Sequence, residues 1–360
     1  MSRGGFQLRG ARLTGAASLL ALFGAGFTID GAQAQSVAKS PVAKAGWKVP
    51  RTADGHPDLQ GMWTNATITP LERSAEYGDN RALTAEQAAK LENAEVEYNE
   101  ERAKPTDLSK PDEFATCRSG TGATCGYNNF WIDRGQQVTT IGGEKRSSLI
   151  VEPANGKVPP LTPERRKSFA ERMQKMRGNF DGPEARPLGE RCLLAFGSSS
   201  GPPMLPVLYN NHYQIVQNRD TVMILVEMVH DARIVRLGGK HVPSTVRKLM
   251  GDSIGRWEGD TLVVETTNFT DKESFRGATS DMKVIERFTR VGRDTIEYRF
   301  TIEDPKAFTQ AWSGEIAMHR TDDMMYEYAC HEGNYALPGI LAGAREEEKI
   351  AAAAAPDDSK

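Results

Sequence analysis

The pair His230-Asp231 ends a strongly apolar run, Val222 to Val229, and its side chains could transfer protons. An imidazole oriented by a carboxylate is a common general base, because the carboxylate fixes the tautomer and raises the basicity. Adjacent residues of a strand point to opposite faces, so Asp231 is not expected to orient His230 itself. The competing interpretation is a turn-capping aspartate beside a half-buried histidine.

A second histidine, His331, follows Cys330 at the end of another alternating run. In a strand, Glu327 and His331 would share one face and Cys330 would lie on the other. If the shared face lines a cavity, it holds a titratable pair. If it faces water, it is an ordinary polar surface.

The run Met250 to Phe269, MGDSIGRWEGDTLVVETTNF, adds groups that could hold a substrate. An arginine can clamp a carboxylate or hydroxyl, and a tryptophan offers a stacking platform. We predict the catalytic set His230, Asp231, His331, Glu327 and Arg256, and the ligand-binding set Trp257, Tyr209, Asn211 and Tyr213. The alternative is that Arg256 pairs with Asp252 and that Trp257 belongs to the core.

The sequence has no local signature of a cofactor or metal site. It contains no H-x-H or H-E-x-x-H pair, no P-loop, no dinucleotide fingerprint and no C-x-x-C-H motif. The serines of residues 196–201 lack the strand-turn-helix context of a nucleophile elbow. Basic and acidic residues are interspersed, and the net charge is -3. We therefore predict no cofactor, no metal ion and no nucleic-acid partner, and a small molecule as the ligand.

Alternating strands must position these groups. After the turn Glu258-Gly259-Asp260, apolar and polar residues alternate through Thr267, as expected for a strand entered through a hairpin. Similar runs cover Tyr213–Gln217, Thr221–Val229, Met282–Thr289, Thr295–Glu303, Trp312–His319 and Met325–His331. This spacing predicts a mainly β protein, an antiparallel sheet closed into a barrel, with a β-sandwich as the alternative. Closed barrels of this size hold one small ligand.

A single barrel domain is predicted for residues 50–345, with helical or loop insertions at 80–126 and 160–206. The first helix is expected over Leu83–Arg102, where Thr84 and Gln87 have capping-box spacing. The second is expected over Leu161–Arg177, where Thr162 precedes a proline at the first helical position. Residues 191–208, rich in Gly and Pro, are expected to form a rim loop of the barrel. Residues 346–360 are expected to be a disordered tail.

The N-terminus predicts export. Three arginines precede an apolar stretch, Leu13 to Phe27, and Ala32-Gln33-Ala34 is a small-x-small cleavage site. We predict a signal peptide at 1–34, a flexible leader at 35–49 and a periplasmic or secreted mature protein. An uncleaved anchor is the alternative, although the stretch is shorter than the ~20 residues that span a bilayer.

Four cysteines in an exported chain predict two disulfides, and three pairings are possible. We favour Cys117 with Cys125, which closes a small loop, and Cys192 with Cys330, which ties the start of the β region to its end. A metal site is the alternative, but no C-x-x-C pair is present.

Several segments resemble a known group of proteins. Tyr127–Arg134, Arg146–Pro153, Val229–Arg233, Gly255–Phe269 and Tyr328–Tyr335 together resemble a group of exported, mostly uncharacterised proteins of Gram-negative bacteria. The similarity covers most of the chain after residue 47, and it implies export but no particular activity. Gly61-Met62-Trp63 resembles the start of the first strand in lipocalin-type barrels, which implies that Trp63 closes one end of the barrel.

These observations predict an enzyme that transfers protons without a cofactor, by elimination, hydration, isomerisation or hydrolysis, at the open end of the barrel. A histidine would serve as base, and Arg256 would stabilise negative charge on a small aromatic or sugar-like substrate. The competing hypotheses are a non-enzymatic carrier with the same cavity and an envelope structural protein with a filled core.

Overall fold

Segments in which apolar and polar residues alternate form strands of a closed β-barrel. The computed structural model of the chain describes residues 46–103, 132–195, 200–272 and 275–354. Within these ranges nine strands form the barrel: β1 (Gly61–Thr64), β5 (His212–Gln217), β6 (Thr221–Val226), β7 (Ala232–Leu237), β8 (Asp252–Glu258), β9 (Thr261–Thr267), β10 (Lys283–Gly292), β11 (Thr295–Glu303) and β12 (Trp312–Arg320). Outside the barrel, β2 (Thr140–Ile141) pairs with β3 (Glu144–Lys145), and β4 (Ile150–Glu152) pairs with β12.

The barrel closes because β12 pairs with β1, with Trp63 opposite Arg320 and Thr64 opposite His319. From β5 to β12 each strand neighbours the next in the chain, and β5 also pairs with β1. The prediction of a mainly β, lipocalin-like barrel is confirmed. One pair departs from the antiparallel pattern, since β7 and β8 are parallel, with Val235 opposite Ser253. Parallel neighbours require a crossover connection, and residues 238–251 supply it.

Large side chains fill the barrel interior. Tyr298 and Phe300 of β11 are fully buried, and the ring of Tyr298 lies 5.0 Å from that of Phe288. Phe300 meets Trp312 edge to face at 5.7 Å. Each buried ring stabilises the fold by roughly 1.5–3 kcal/mol through the apolar area removed from water. These rings occupy part of the barrel interior, where the ligand cavity is predicted.

The two predicted helical insertions are confirmed. In α1 (Ala85–Ala103), the Thr84 backbone N–H donates to Gln87 Oε1 at 2.9 Å and the Gln87 N–H donates to Thr84 Oγ1 at 3.2 Å. This reciprocal pair is a capping box, which satisfies two N–H groups at the helix start. In α2 (Pro163–Met176), Thr162 Oγ1 accepts from the N–H of Arg165.

The C-terminal segment forms a third helix, α3 (Ala336–Ala354), so the prediction of disorder from residue 346 is wrong up to Ala354. Asn334 Oδ1 accepts from the Leu337 N–H and caps the helix, and its last turns are rich in alanine, the best helix former. In the described residues, no helix is long and apolar enough to cross a membrane.

The predicted strand Met325–His331 is wrong. Residues 321–335, which we call the strap, are irregular and run from the end of β12, beside Met62, to Glu227 and His230. No edge remains for a further strand at this point, because the barrel is already closed between β12 and β1. The strap is held by the hydrogen bond from the Tyr326 N–H to Glu227 Oε1, 3.0 Å long, and by a disulfide.

The disulfide joins Cys192 to Cys330, as predicted, with Cα atoms 5.6 Å apart. It ties the segment before β5 to the strap. The predicted partners Cys117 and Cys125 lie outside the described residues, as does the predicted signal peptide.

Candidate functional site

The two ends of the barrel differ, and each predicted site residue belongs to one of them. At the first, the plugged end, β6 ends and β7 begins, and residues 200–208 cross the opening. Met204 is fully buried there, and its N–H donates to the Tyr298 hydroxyl at 2.9 Å. The second, the hairpin end, carries the turns at 218–220 and 258–260.

His230 and Asp231 lie at the plugged end but have separate partners. His230 is exposed, and its Nδ1 lies 3.2 Å from the carbonyl oxygen of Tyr328. Asp231 is half-buried and accepts a hydrogen bond from Ser200 Oγ at 2.7 Å. Burial raises the pKa of Asp231 above its ordinary value, although the bond from Ser200 opposes this. Asp231 therefore holds the plug segment rather than the imidazole.

Glu327 and His331 are both exposed on the strap. The two side chains would share a face only in a strand, and the strap does not form one. Arg256 and Trp257 lie at the hairpin end. β8 runs parallel to β7, and Gly255 pairs with Leu237, the last residue of β7, so Arg256 and Trp257 follow beyond the end of β7. The predicted catalytic set is thus divided between opposite ends of the barrel.

The environments of Arg256 and Trp257 fit structural roles. Arg256 is exposed and pairs with Glu258 at 2.7 Å rather than with Asp252. The Trp257 ring stacks on the ring of His56 at 5.2 Å and packs against the core. Trp63, at the same end, is fully buried beneath the guanidinium of Arg290, 5.5 Å from its ring centre.

The remaining binding candidates lie at the plugged end. Asn211 is fully buried, and its side chain donates to the carbonyl oxygens of Asp133 and Val207, at 2.7 and 2.9 Å. Tyr213 points into the packed interior, where burial raises the pKa of its hydroxyl. Tyr209 is half-buried against the core. These residues hold the rim together and leave little of their surface for a ligand.

Sequence reasoning missed a histidine that does have a carboxylate partner. His212 Nδ1 lies 2.9 Å from Glu227 Oε2, and the two side chains are 14% and 2% exposed. The hydrogen bond that His212 donates to Glu227 raises the pKa of His212. Burial alone would raise the pKa of Glu227, but hydrogen bonds from His212 and from the Tyr326 N–H lower it. The available signal was Glu227 itself, the one acidic residue within the apolar run, since a buried carboxylate needs a partner.

A second buried cluster was also missed. Arg233 and Glu286 form a two-pronged ion pair inside the barrel, and both are almost fully buried. The Tyr298 hydroxyl donates to Glu286 Oε1 at 2.9 Å and accepts from Met204, so the cluster supports the plug. The signal was Glu286 at an inward position between Val284 and Phe288.

A cleft of about 400 Å³ opens beside the plug, outside the barrel. We call it the Arg134–Arg276 cleft. Its described lining residues are Thr67, Thr69, Leu71, Arg134, Leu149, Leu205, Pro206, Val207, Leu208 and Arg276. Most of this wall is apolar, and the two guanidinium groups are its charged members. None of its residues was predicted as a site residue, because they come from five separate parts of the chain.

Among the described residues, no group of three or more His, Cys, Asp or Glu side chains is arranged to hold a metal ion. Comparison of the chain with family models, with curated proteins and with solved structures found no match.

Proposed function

We propose that this chain is an exported small-molecule binding protein whose ligand lies in the Arg134–Arg276 cleft. The observation that carries the proposal is a cleft of about 400 Å³ with mostly apolar walls and few polar groups. Binding sites for small molecules commonly have this composition and volumes of ~300–1,000 Å³. The N-terminal sequence and the disulfide support an oxidising location outside the cytoplasm.

The wall of the cleft is continuous with the segment that contacts β11 at the plugged end. Met204 is fully buried at the plugged end, and its N–H donates to the Tyr298 hydroxyl at 2.9 Å. The next residues, Leu205 to Leu208, turn to the cleft and form one of its walls. The same short segment thus closes the barrel and shapes the proposed site, which would give the wall a rigid support.

Replacing Leu208 by Trp is expected to weaken binding of 1-aminoanthracene, a neutral aromatic probe, more than about tenfold. The added indole would fill the cleft, and Leu208 is 39% exposed, so the barrel should tolerate the change. Leu193→Trp is the matched control, because Leu193 is 40% exposed and lies outside the cleft. Probe fluorescence gives the affinity. Equal affinity in both variants and the wild type would exclude the cleft as the site.

A second candidate function is proton-transfer catalysis without a cofactor on a small aromatic or sugar-like substrate, with His212 as its acid–base group. The specific observation in its favour is the His212–Glu227 pair, the arrangement expected of a positioned imidazole. His212 follows Asn211, whose side chain binds Val207 of the cleft wall. Because Glu227 raises the pKa of His212, the protonated form is favoured, and the residue would act first as a general acid.

This candidate predicts a pH profile. With any substrate found in a metabolite screen on the purified protein, turnover should fall as pH rises through the elevated pKa of His212, since the acid form is lost. His212→Gln should lower turnover by about a hundredfold or more. His56→Gln, at the hairpin end, is the control. Unchanged turnover in His212→Gln would remove this residue from the mechanism.

A further inference from the structure

We infer that the Arg134–Arg276 cleft selects an amphipathic anion, a small carboxylate or similar monoanion attached to an apolar body. This inference rests on the proposed function, because it names the ligand class of the same site. It also replaces the broader expectation of an aromatic or sugar-like ligand with a charged one.

The charge of the lining carries the first step. The cleft has two arginines and, among its described lining residues, no acidic side chain. Arg276 is exposed and makes no hydrogen bond or ion pair with any described residue. An arginine on an apolar wall attracts carboxylates, which its planar guanidinium group can bind through two parallel hydrogen bonds.

Arg134 supplies the second positive charge. Its guanidinium lies over the Tyr98 ring at 5.5 Å, and its buried Nε has no hydrogen-bond partner among the described residues. Glu95 Oε1 is 3.5 Å from that Nε, close enough to offset part of the charge but without hydrogen-bond geometry. With one nearby carboxylate for two guanidinium groups, the described part of the cleft keeps a net positive charge.

Several other arginines of the fold differ from Arg276, because their guanidinium groups have partners in the protein. Arg146 pairs with Glu315, and Arg165 donates to the carbonyl oxygens of Gly277 and Ala278. Arg73 is buried and bonds to Ser147 and to a backbone carbonyl. These side chains are committed to the structure. The contrast with Arg276 points to a group kept available for a ligand.

The polar hydroxyls of the cleft argue against a neutral, sugar-like ligand. Thr67 Oγ1 donates to the Gln137 carbonyl oxygen at 2.8 Å, and Thr69 Oγ1 accepts from the Thr139 N–H at 2.8 Å. Both hydroxyls are already engaged with the backbone. The rest of the wall is aliphatic, so it matches the apolar body of an amphipathic acid.

The test compares 4-phenylbutyrate with its neutral amide, 4-phenylbutyramide, as competitors for 1-aminoanthracene. The acid should displace the probe from wild-type protein at about tenfold lower concentration than the amide. Arg276→Ala should remove most of this preference while the amide's affinity stays within about twofold, and Arg276→Lys should retain part of it. Arg134→Ala should also reduce the preference, with circular dichroism confirming that the variant is folded.

The controls separate the two proposals. Arg293→Ala removes a guanidinium that is 88% exposed in the β10–β11 turn, and it should leave the preference unchanged. If Leu208→Trp abolishes probe binding but acid and amide compete equally in the wild type, the anion inference fails and the binding cleft stands. If Leu208→Trp has no effect, the cleft fails as the site. Equal loss of acid affinity in Arg293→Ala and Arg276→Ala would also overturn the inference. The preference for the acid would then depend on the net charge of the protein and not on an arginine in the cleft.

Discussion

Glu286→Gln is expected to lower the free energy of unfolding by about 3–5 kcal/mol. The substitution leaves Arg233 charged and nearly fully buried without its counter-ion, and the desolvation of an unpaired guanidinium is among the largest single penalties in a protein interior. Tyr298 also loses the charged acceptor of its hydroxyl. Urea unfolding followed by circular dichroism measures the change, provided that the slope of the transition is unaltered.

A second variant distinguishes a lost counter-ion from general disruption. Replacing both partners, Arg233→Met with Glu286→Leu, should recover most of the lost stability, because well-packed apolar side chains often replace a buried ion pair at no cost. Glu258→Gln is the exposed control, and it should cost less than about 1 kcal/mol because its pairs with Arg256 and Arg287 are solvated. A Glu286→Gln cost as small as that of Glu258→Gln would contradict the prediction.

Removing the disulfide with Cys192→Ser and Cys330→Ser together should destabilise the protein by about 5 kcal/mol in the chain-entropy model. The bond joins residues 138 apart, so it strongly restricts the unfolded chain. It also anchors the strap, whose Tyr326 N–H completes the environment of Glu227. Urea unfolding of the variant and the wild type provides the comparison.

Limited proteolysis adds a structural readout to the disulfide prediction. Cleavage within the strap should become faster in the double variant, since its strongest tether is gone. Tyr335→Ser changes a side chain that is 84% exposed on the same segment and should alter neither measurement. A double variant within about 1 kcal/mol of the wild type would mean that the strap separates from the barrel before the barrel unfolds, so that the bond does not stabilise it.

Local patterns in the sequence predicted most of the barrel strands and two of the helices. The alternation of Ile296, Tyr298, Phe300 and Ile302 is confirmed in β11, where all four are buried. The Thr84 and Gln87 spacing gives the cap of α1. Such signals succeed because side-chain direction in a strand and hydrogen bonding at a helix start depend on residues only a few positions apart.

The alternation rule predicted a wrong strand at a place where the strand edge is already paired. Residues 325–331 alternate like a strand, but β1 pairs with the end of β12, and the segment contacts Glu227 and His230 instead. Adjacent residues in sequence were likewise poor guides to partners. Asp231 bonds to Ser200 and not to His230, while His212 finds Glu227 across a β-hairpin.

The sequence by itself predicted most of the barrel strands, where two helices begin and a pairing of Cys192 with Cys330. Only the tertiary structure decided that β12 pairs with β1, that Arg233 meets Glu286, and that Arg134 and Arg276 line one cleft. The physical reason is the range of the interactions. Strand periodicity and helix capping act between near neighbours, whereas barrel closure and cleft formation depend on contacts between segments that are far apart in the chain.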